Sequence, residues 1–135
     1  MRITIRVIGI VLLCAITFFG IVMAASESGE VVILSTIDES GNTIDTRLWV
    51  VDHDGAQWVR AGQPEKGWFR RLEANSRVKL LREGSMTDRI AVPVRDQSII
   101  NNVNKVFSEK YGIADRIVAL PGDASKRVPV RLDEI

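Results

Sequence analysis

The chain has 135 residues, 46% hydrophobic and 26% charged, which suits one globular domain and excludes a disordered chain. Two of its 18 basic residues, Arg2 and Arg6, precede a hydrophobic run, leaving 16 against 17 acidic residues. A domain this close to neutral lacks the dense basic surface of sequence-independent nucleic-acid binding, so no nucleic-acid partner is expected.

In chain order, the first element is an uncharged apolar run over residues 7–25, followed by Ser26, Glu27, Ser28, Gly29 and Glu30. A basic start, an apolar middle and small residues at Ala24 and Ala25 match a secretory signal. The run is also long enough to span a bilayer, so a cleaved signal and an uncleaved anchor both fit. Either way, the positive-inside bias puts the domain on the extracytoplasmic side. The division expected is therefore a signal peptide or membrane anchor over 1–25, a linker over 26–30 and one domain over 31–135. The one cysteine, Cys14, lies within the apolar run. The domain then has no disulfide, thiol nucleophile or cysteine zinc site. With His53 as the only histidine, a multi-histidine metal centre is excluded within one chain, and a hydrolytic triad would have to use that residue.

The continuous apolar run over 31–36 reads as a buried strand ending in a turn at Asp38 to Asn42. Residues 43–51 alternate, with Ile44, Leu48 and Val50 on a buried face and Asp45, Arg47 and Trp49 opposite. Gly55 supplies the positive φ of a hairpin turn, and residues 56–61 return as a third strand. A short helix is expected over 66–75, with Trp68 and Leu72 one turn apart. A second hairpin pairs 77–82 with 87–94, and Pro93 suits an edge or a strand end. From Asp96, read as a helix cap, the period becomes helical. Ile99, Ile100, Val103, Val106, Phe107 and Tyr111 form one stripe, closed by Gly112. Residues 116–120 and 128–132 are expected as the last strands. About six strands and two helices predict a mainly β fold, a small barrel with helices packed outside.

Three pieces of this order carry a resemblance: Thr36-Ile37-Asp38 through Gly41 with the strand Thr46 to Val51; Asp54-Gly55 with its returning strand; and Lys66 followed by Trp68-Phe69-Arg70-Arg71-Leu72-Glu73-Ala74-Asn75-Ser76-Arg77-Val78. Together they resemble the split-barrel flavin-binding proteins related to pyridoxamine 5'-phosphate oxidase, including the deazaflavin-dependent nitroreductase branch. The resemblance covers about residues 31–120. It implies FMN or a deazaflavin as cofactor, a small-molecule acceptor, and a homodimer with the cofactor between subunits. By position it assigns Arg47 and Lys66 to the cofactor phosphate, a role that suits a guanidinium and an ammonium converging from separate elements. Trp49, Trp68, Arg70 and Arg71 complete the candidate site. The chain departs from the branch in its short loop, Gly62-Gln63-Pro64-Glu65, and in Arg71 where an asparagine is usual. A short loop offers fewer backbone N–H groups to a phosphate.

Simpler readings stand beside these roles. Arg47 reads equally as a solvated arginine, Lys66, Arg70 and Arg71 as a basic helix face, Trp68 as core, and His53 as a hairpin tip. Two function classes follow. One is a flavin- or deazaflavin-dependent oxidoreductase of the nitroreductase or quinone-reductase type, in which no catalytic side chain is required because the cofactor does the chemistry. The other is a non-enzymatic ligand-binding or interaction domain at the membrane face that has lost the cofactor.

Overall fold

The computed structural model of the protein describes residues 1–64, 67–119 and 126–135, without the side chains of residues 2, 20–28 and 117–119. Among these residues helix α1 (Arg2–Ser28) leads into seven strands: β1 (Val31–Ile37), β2 (Thr43–Trp49), β3 (Val51–His53), β4 (Ala56–Ala61), β5 (Arg77–Arg82), β6 (Ser85–Pro93) and β7 (Val128–Glu134). Helix α2 (Gly67–Ala74) separates β4 from β5, and α3 (Gln97–Tyr111) and α4 (Ile113–Ala119) lie between β6 and β7.

Local chemistry explains the turns. In the β3–β4 hairpin Asp54 and Gly55 have φ of 51° and 73°, and in the β5–β6 hairpin Glu83 and Gly84 have 51° and 76°. Two successive left-handed residues make the tight turn whose twist matches that of the flanking strands. Between β1 and β2 the Asp38 carboxylate accepts the N–H groups of Ser40 (2.9 Å) and Asn42 (2.8 Å). Asp96 caps α3 by accepting from the N–H groups of Ser98 and Ile99, and Gly112 ends the helix at φ 55°.

All pairs in the sheet are antiparallel, in the order β2-β1-β5-β6-β7-β4-β3. Its outermost strands, β2 and β3, are consecutive in the chain and joined at the fully buried Val50. The sheet therefore curls until its two edges meet through one covalent bend, a barrel left open between them. The concave side holds Val32, Leu34, Val59, Leu80, Val130 and Leu132, on which α2 packs Trp68, Phe69 and Leu72. Outside, Val103, Phe107 and Tyr111 of α3 pack on Val51 and Trp58.

Three expectations need correction. Residues 116–120 were expected as a strand, but 116–119 belong to α4 and residue 120 lies outside the described residues. A short apolar run does not by itself separate strand from helix. Here tertiary contacts decide for helix by burying Ala114 and Asp115 together, at 7% and 6% exposure. Residues 43–51 form two strands rather than one, because the barrel edge bends at Val50. The face of Ile44, Leu48 and Val50 is buried at Val50 and half-buried at Leu48, yet Ile44 is 36% exposed. It lies toward the free end of an outermost strand, which among the described residues pairs with β1 alone. Pro93 stands where one of its two expected placements has it, at the end of β6, a strand paired on both sides.

The expected apolar segment falls in α1, where Ile3, Ile5, Val7, Ile8, Leu13, Ile16, Phe18 and Phe19 are all more than half exposed. Among the described residues no helix is long and apolar enough to cross a membrane. The rest of the segment, at 20–25, has side chains outside those described.

Candidate cofactor site

Pleating puts the expected site residues of β2 on the convex face. Arg47 pairs with Ile33 of β1 and Trp49 with Val31, whereas the core residues Val32 and Leu34 point the other way. Arg47 is exposed and has no ion-pair partner among the described residues. Trp49 is half-buried and stacks on Tyr111, with ring centroids 4.3 Å apart and planes within 7°.

On α2, Trp68 is 9% exposed and meets Phe69 edge to face at 6.1 Å, so its ring belongs to the core. Arg70 is exposed. Arg71 donates from Nε to the Thr36 hydroxyl (2.8 Å), a group with 0% exposure. A Cβ at Gly67 would lie 2.7 Å from the Arg71 guanidinium, so glycine there lets the side chain fold over the start of the helix. Thr36 shares the concave parity of Val32 and Leu34, so Arg47 and Arg71 lie on opposite sides of the β1–β2 ladder. Arg47 and Trp49 thus share one face, and Trp68, Arg70 and Arg71 share one helix. Lys66 lies outside the described residues.

Behind Trp49 stands a polar clasp that sequence reading did not anticipate. The Tyr111 hydroxyl accepts the Val50 N–H (3.0 Å), and its single proton is shared between the carbonyls of Glu30 (2.7 Å) and Val50 (2.9 Å). Lys110 donates to the Glu30 carboxylate (2.6 Å) and the Val50 carbonyl (2.7 Å). Arg82 grips Glu30 (2.8 and 2.9 Å) and Asp52 (2.7 Å twice), each through two nitrogens. Those bonds from Arg82 hold both carboxyls below their ordinary range, and the two carboxylates raise the guanidinium in turn. Burial raises the Tyr111 phenol. Gly29 lies flat on the Tyr111 ring, where a Cβ would meet it at 2.5 Å. The stretch just after α1 is therefore fastened to the barrel beside Trp49.

Two further features lie apart from these residues. Arg60 donates to Asp115 and to Asn104 (3.1 Å) and stacks its guanidinium over Phe107 at 4.3 Å, while Arg127 stands 3.9 Å from Asp115. Burial pushes the Arg60 pKa down. These side chains tie α3 and α4 to β4. At the β3–β4 hairpin a shallow cavity of about 420 Å³ is lined by Asp52, His53, Asp54, Gly55, Ala56 and Gln57. Among the described residues the side-chain oxygen Oε1 of Gln57 is buried without a hydrogen-bond partner. Among the described residues no group of His, Cys, Asp or Glu is placed to hold a metal.

No model of a known protein family matches the chain, and no curated protein resembles it in sequence. Solved structures do. The heme storage protein HutZ from Vibrio cholerae superposes with a TM-score of 0.63 at 21% identity, over 86% of this chain and 88% of its own. An F420-H2 dependent reductase gives 0.61 at 19%, over 76% and 93%. A candidate pyridoxamine 5'-phosphate oxidase from Listeria innocua gives 0.59 at 14%, over 82% and 87%. The fold is the split barrel. The resemblance carried by the sequence thus holds at the level of architecture, and in all three comparisons the shared region takes in most of both chains.

Proposed function

We propose that this split barrel binds a flavin or deazaflavin and acts as an oxidoreductase toward a small-molecule acceptor. The observation that carries the reading is the likeness to an F420-H2 dependent reductase along nearly all of that protein's length. Bound, the cofactor would supply two-electron transfer, leaving the chain to bind, orient and shield it. Arg47 and Lys66 would hold its phosphate, assisted by Arg70, with Trp49 beside the ring. Arg47 and Arg70 suit such a contact because neither is committed to an ion pair among the described residues. Trp68 and Arg71 would support the site from the core and from Thr36 rather than touch the cofactor. A homodimer belongs to the reading, as does an extracytoplasmic barrel behind residues 7–25. The exposed apolar side chains of α1 favour that tether.

A second reading is a ligand-binding domain without redox chemistry, favoured by the likeness to a heme storage protein. Titration of the full chain in detergent with riboflavin phosphate, the deazaflavin and heme, followed by absorption and fluorescence quenching, separates the two. Under the first reading, Arg47→Ala and Lys66→Ala each weaken phosphate-bearing flavin by about 1.5–3 kcal/mol. Riboflavin without phosphate binds less well and is nearly indifferent to both changes. Absence of binding by either ring system, with heme bound, replaces the first reading by the second.

A further inference from the structure

We propose that Arg127, backed by Arg60, anchors a site for a small oxyanion, a phosphate or carboxylate group, at the seam where β4 and β7 meet α3 and α4. Alternation along the two strands builds it. Val59 and Ala61 of β4 and Val128, Val130 and Leu132 of β7 fill the concave core, so the residues between them face outward. Arg60 therefore stands on the convex side, paired across the ladder with Pro129, whose ring brings no charge. Arg127, the residue before β7, continues the same alternation and comes within 3.9 Å of the Asp115 carboxylate. Over the two arginines α4 supplies Asp115, and α3 supplies Asn104 and Phe107.

The charges of this cluster do not balance. Among the described residues Arg60 and Arg127 share one carboxylate, and both contacts go to the same oxygen, Oδ1 of Asp115. The side chains of Arg60, Arg127 and Asp115 are 8%, 11% and 8% exposed. Two cations against one anion leave a positive charge uncompensated and largely out of water, which is costly. An arginine does not shed its proton to escape that cost, so it has to be paired and hydrogen-bonded. Arg60 meets the condition through Asp115, Asn104 and the Phe107 ring. That contact already ties β4 to both helices, and the tie needs no second cation. Arg127 makes no hydrogen bond among the described residues, and none of its nitrogens is buried there without one, so they open to solvent. It is a mostly covered guanidinium with its donors uncommitted. Its planar fork matches two oxygens of a phosphate or carboxylate. Arg60 adds to the attraction, and Asp115 offsets only half of the charge of the pair.

The inference stands whether or not the barrel takes a flavin. The test is thermal melting of the full chain in detergent, titrated with sodium phosphate or sodium acetate at an ionic strength held constant with chloride. A ligand of the folded state raises Tm with its concentration, whereas screening stays fixed under these conditions. Wild type is expected to respond, and the more effective anion tells whether the site takes a phosphate or a carboxylate. Arg127→Gln should weaken the apparent affinity roughly tenfold or more. Arg127→Lys keeps the charge but loses the fork, so it should fall between, and it decides the matter if circular dichroism shows the Gln variant unfolded. Asp115→Asn should tighten binding, a change of sign that a purely structural cluster does not give. Arg47→Ala should leave the response in place, which separates this site from the one proposed for the cofactor phosphate. A wild type indifferent to both anions overturns the proposal, as does a response that both Arg127 variants leave intact. A response that appears only with Asp123→Asn overturns it too, because the missing negative charge would then come from the chain itself.

Discussion

Tyr111 does three things with one side chain. Its ring fills the apolar seam of α3 and stacks on Trp49, and its hydroxyl satisfies Val50 at the bend where β2 becomes β3. The bend leaves the Val50 N–H outside the ladder, and a buried donor without an acceptor is costly. Tyr111→Phe keeps the ring and removes that acceptor, so it should lower stability by about 1–3 kcal/mol in urea denaturation. A midpoint unchanged from wild type would mean that Val50 finds another partner. The sequence makes the ring's position legible, because Tyr111 completes a helical apolar stripe. The hydroxyl's role was not legible, since its partners lie 61 and 81 residues away. The same holds for Arg82, which local pattern marks as the last residue of a strand and nothing more. Of the expected site residues, Trp68 takes its simpler reading, a buried core ring one turn from Leu72, and not the place of a cofactor wall. The commitment of Arg71 to Thr36 depends on how α2 lies over β1, which no spacing within the helix encodes.

At the scale of elements, the hairpins and the long helix were readable because their signals are local. Asp54-Gly55 and Glu83-Gly84 require left-handed residues, and Asp96 and Gly112 bracket one continuous stripe. α4 was missed because its tertiary contacts outweigh the strand propensity of its apolar residues. β2 was only half read, since alternation reports which side chains share a face but not whether the strand has a neighbour on both sides. That difference is measurable. Phe69, fully buried between α2 and the concave sheet, should cost about 3–5 kcal/mol on change to Ala. Ile44→Ala on the open strand should stay within about 1 kcal/mol in dilute, monomeric protein. Comparable losses for the two would show that β2 is covered within its own chain.

For the whole molecule, the clasp ties together the segment after α1, the β2–β3 bend, the end of β5 and the end of α3, and its charges give the fold a pH window. Glu30 and Asp52 have folded pKa values depressed chiefly by hydrogen bonds from Arg82. The stability they contribute is fully present above their ordinary values of 4.5 and 3.8 and is lost as pH falls through the depressed values. Tyr111 acts at the other end. Its raised pKa means that above the ordinary 10.0 the unfolded phenol ionises first, so stability falls again in alkali. Stability should therefore be level across the neutral range and decline on both sides. Arg82→Met removes the group that depresses both carboxyls while keeping much of the side-chain volume. It should lower stability by about 1–3 kcal/mol at neutral pH, the worth of hydrogen bonds between charged groups. The variant should also have a shallower acid limb. That limb will not vanish, because Asp38 and Asp96 are depressed independently, by the Asn42 N–H and the Ser98 side chain respectively. Urea titrations of both proteins in steps from about pH 7 to about pH 3 give the test, since the difference between them should shrink as the carboxyls protonate. A difference that stays constant over that range would show that Arg82 acts through packing alone, and that the clasp is not where the acid sensitivity of the fold resides.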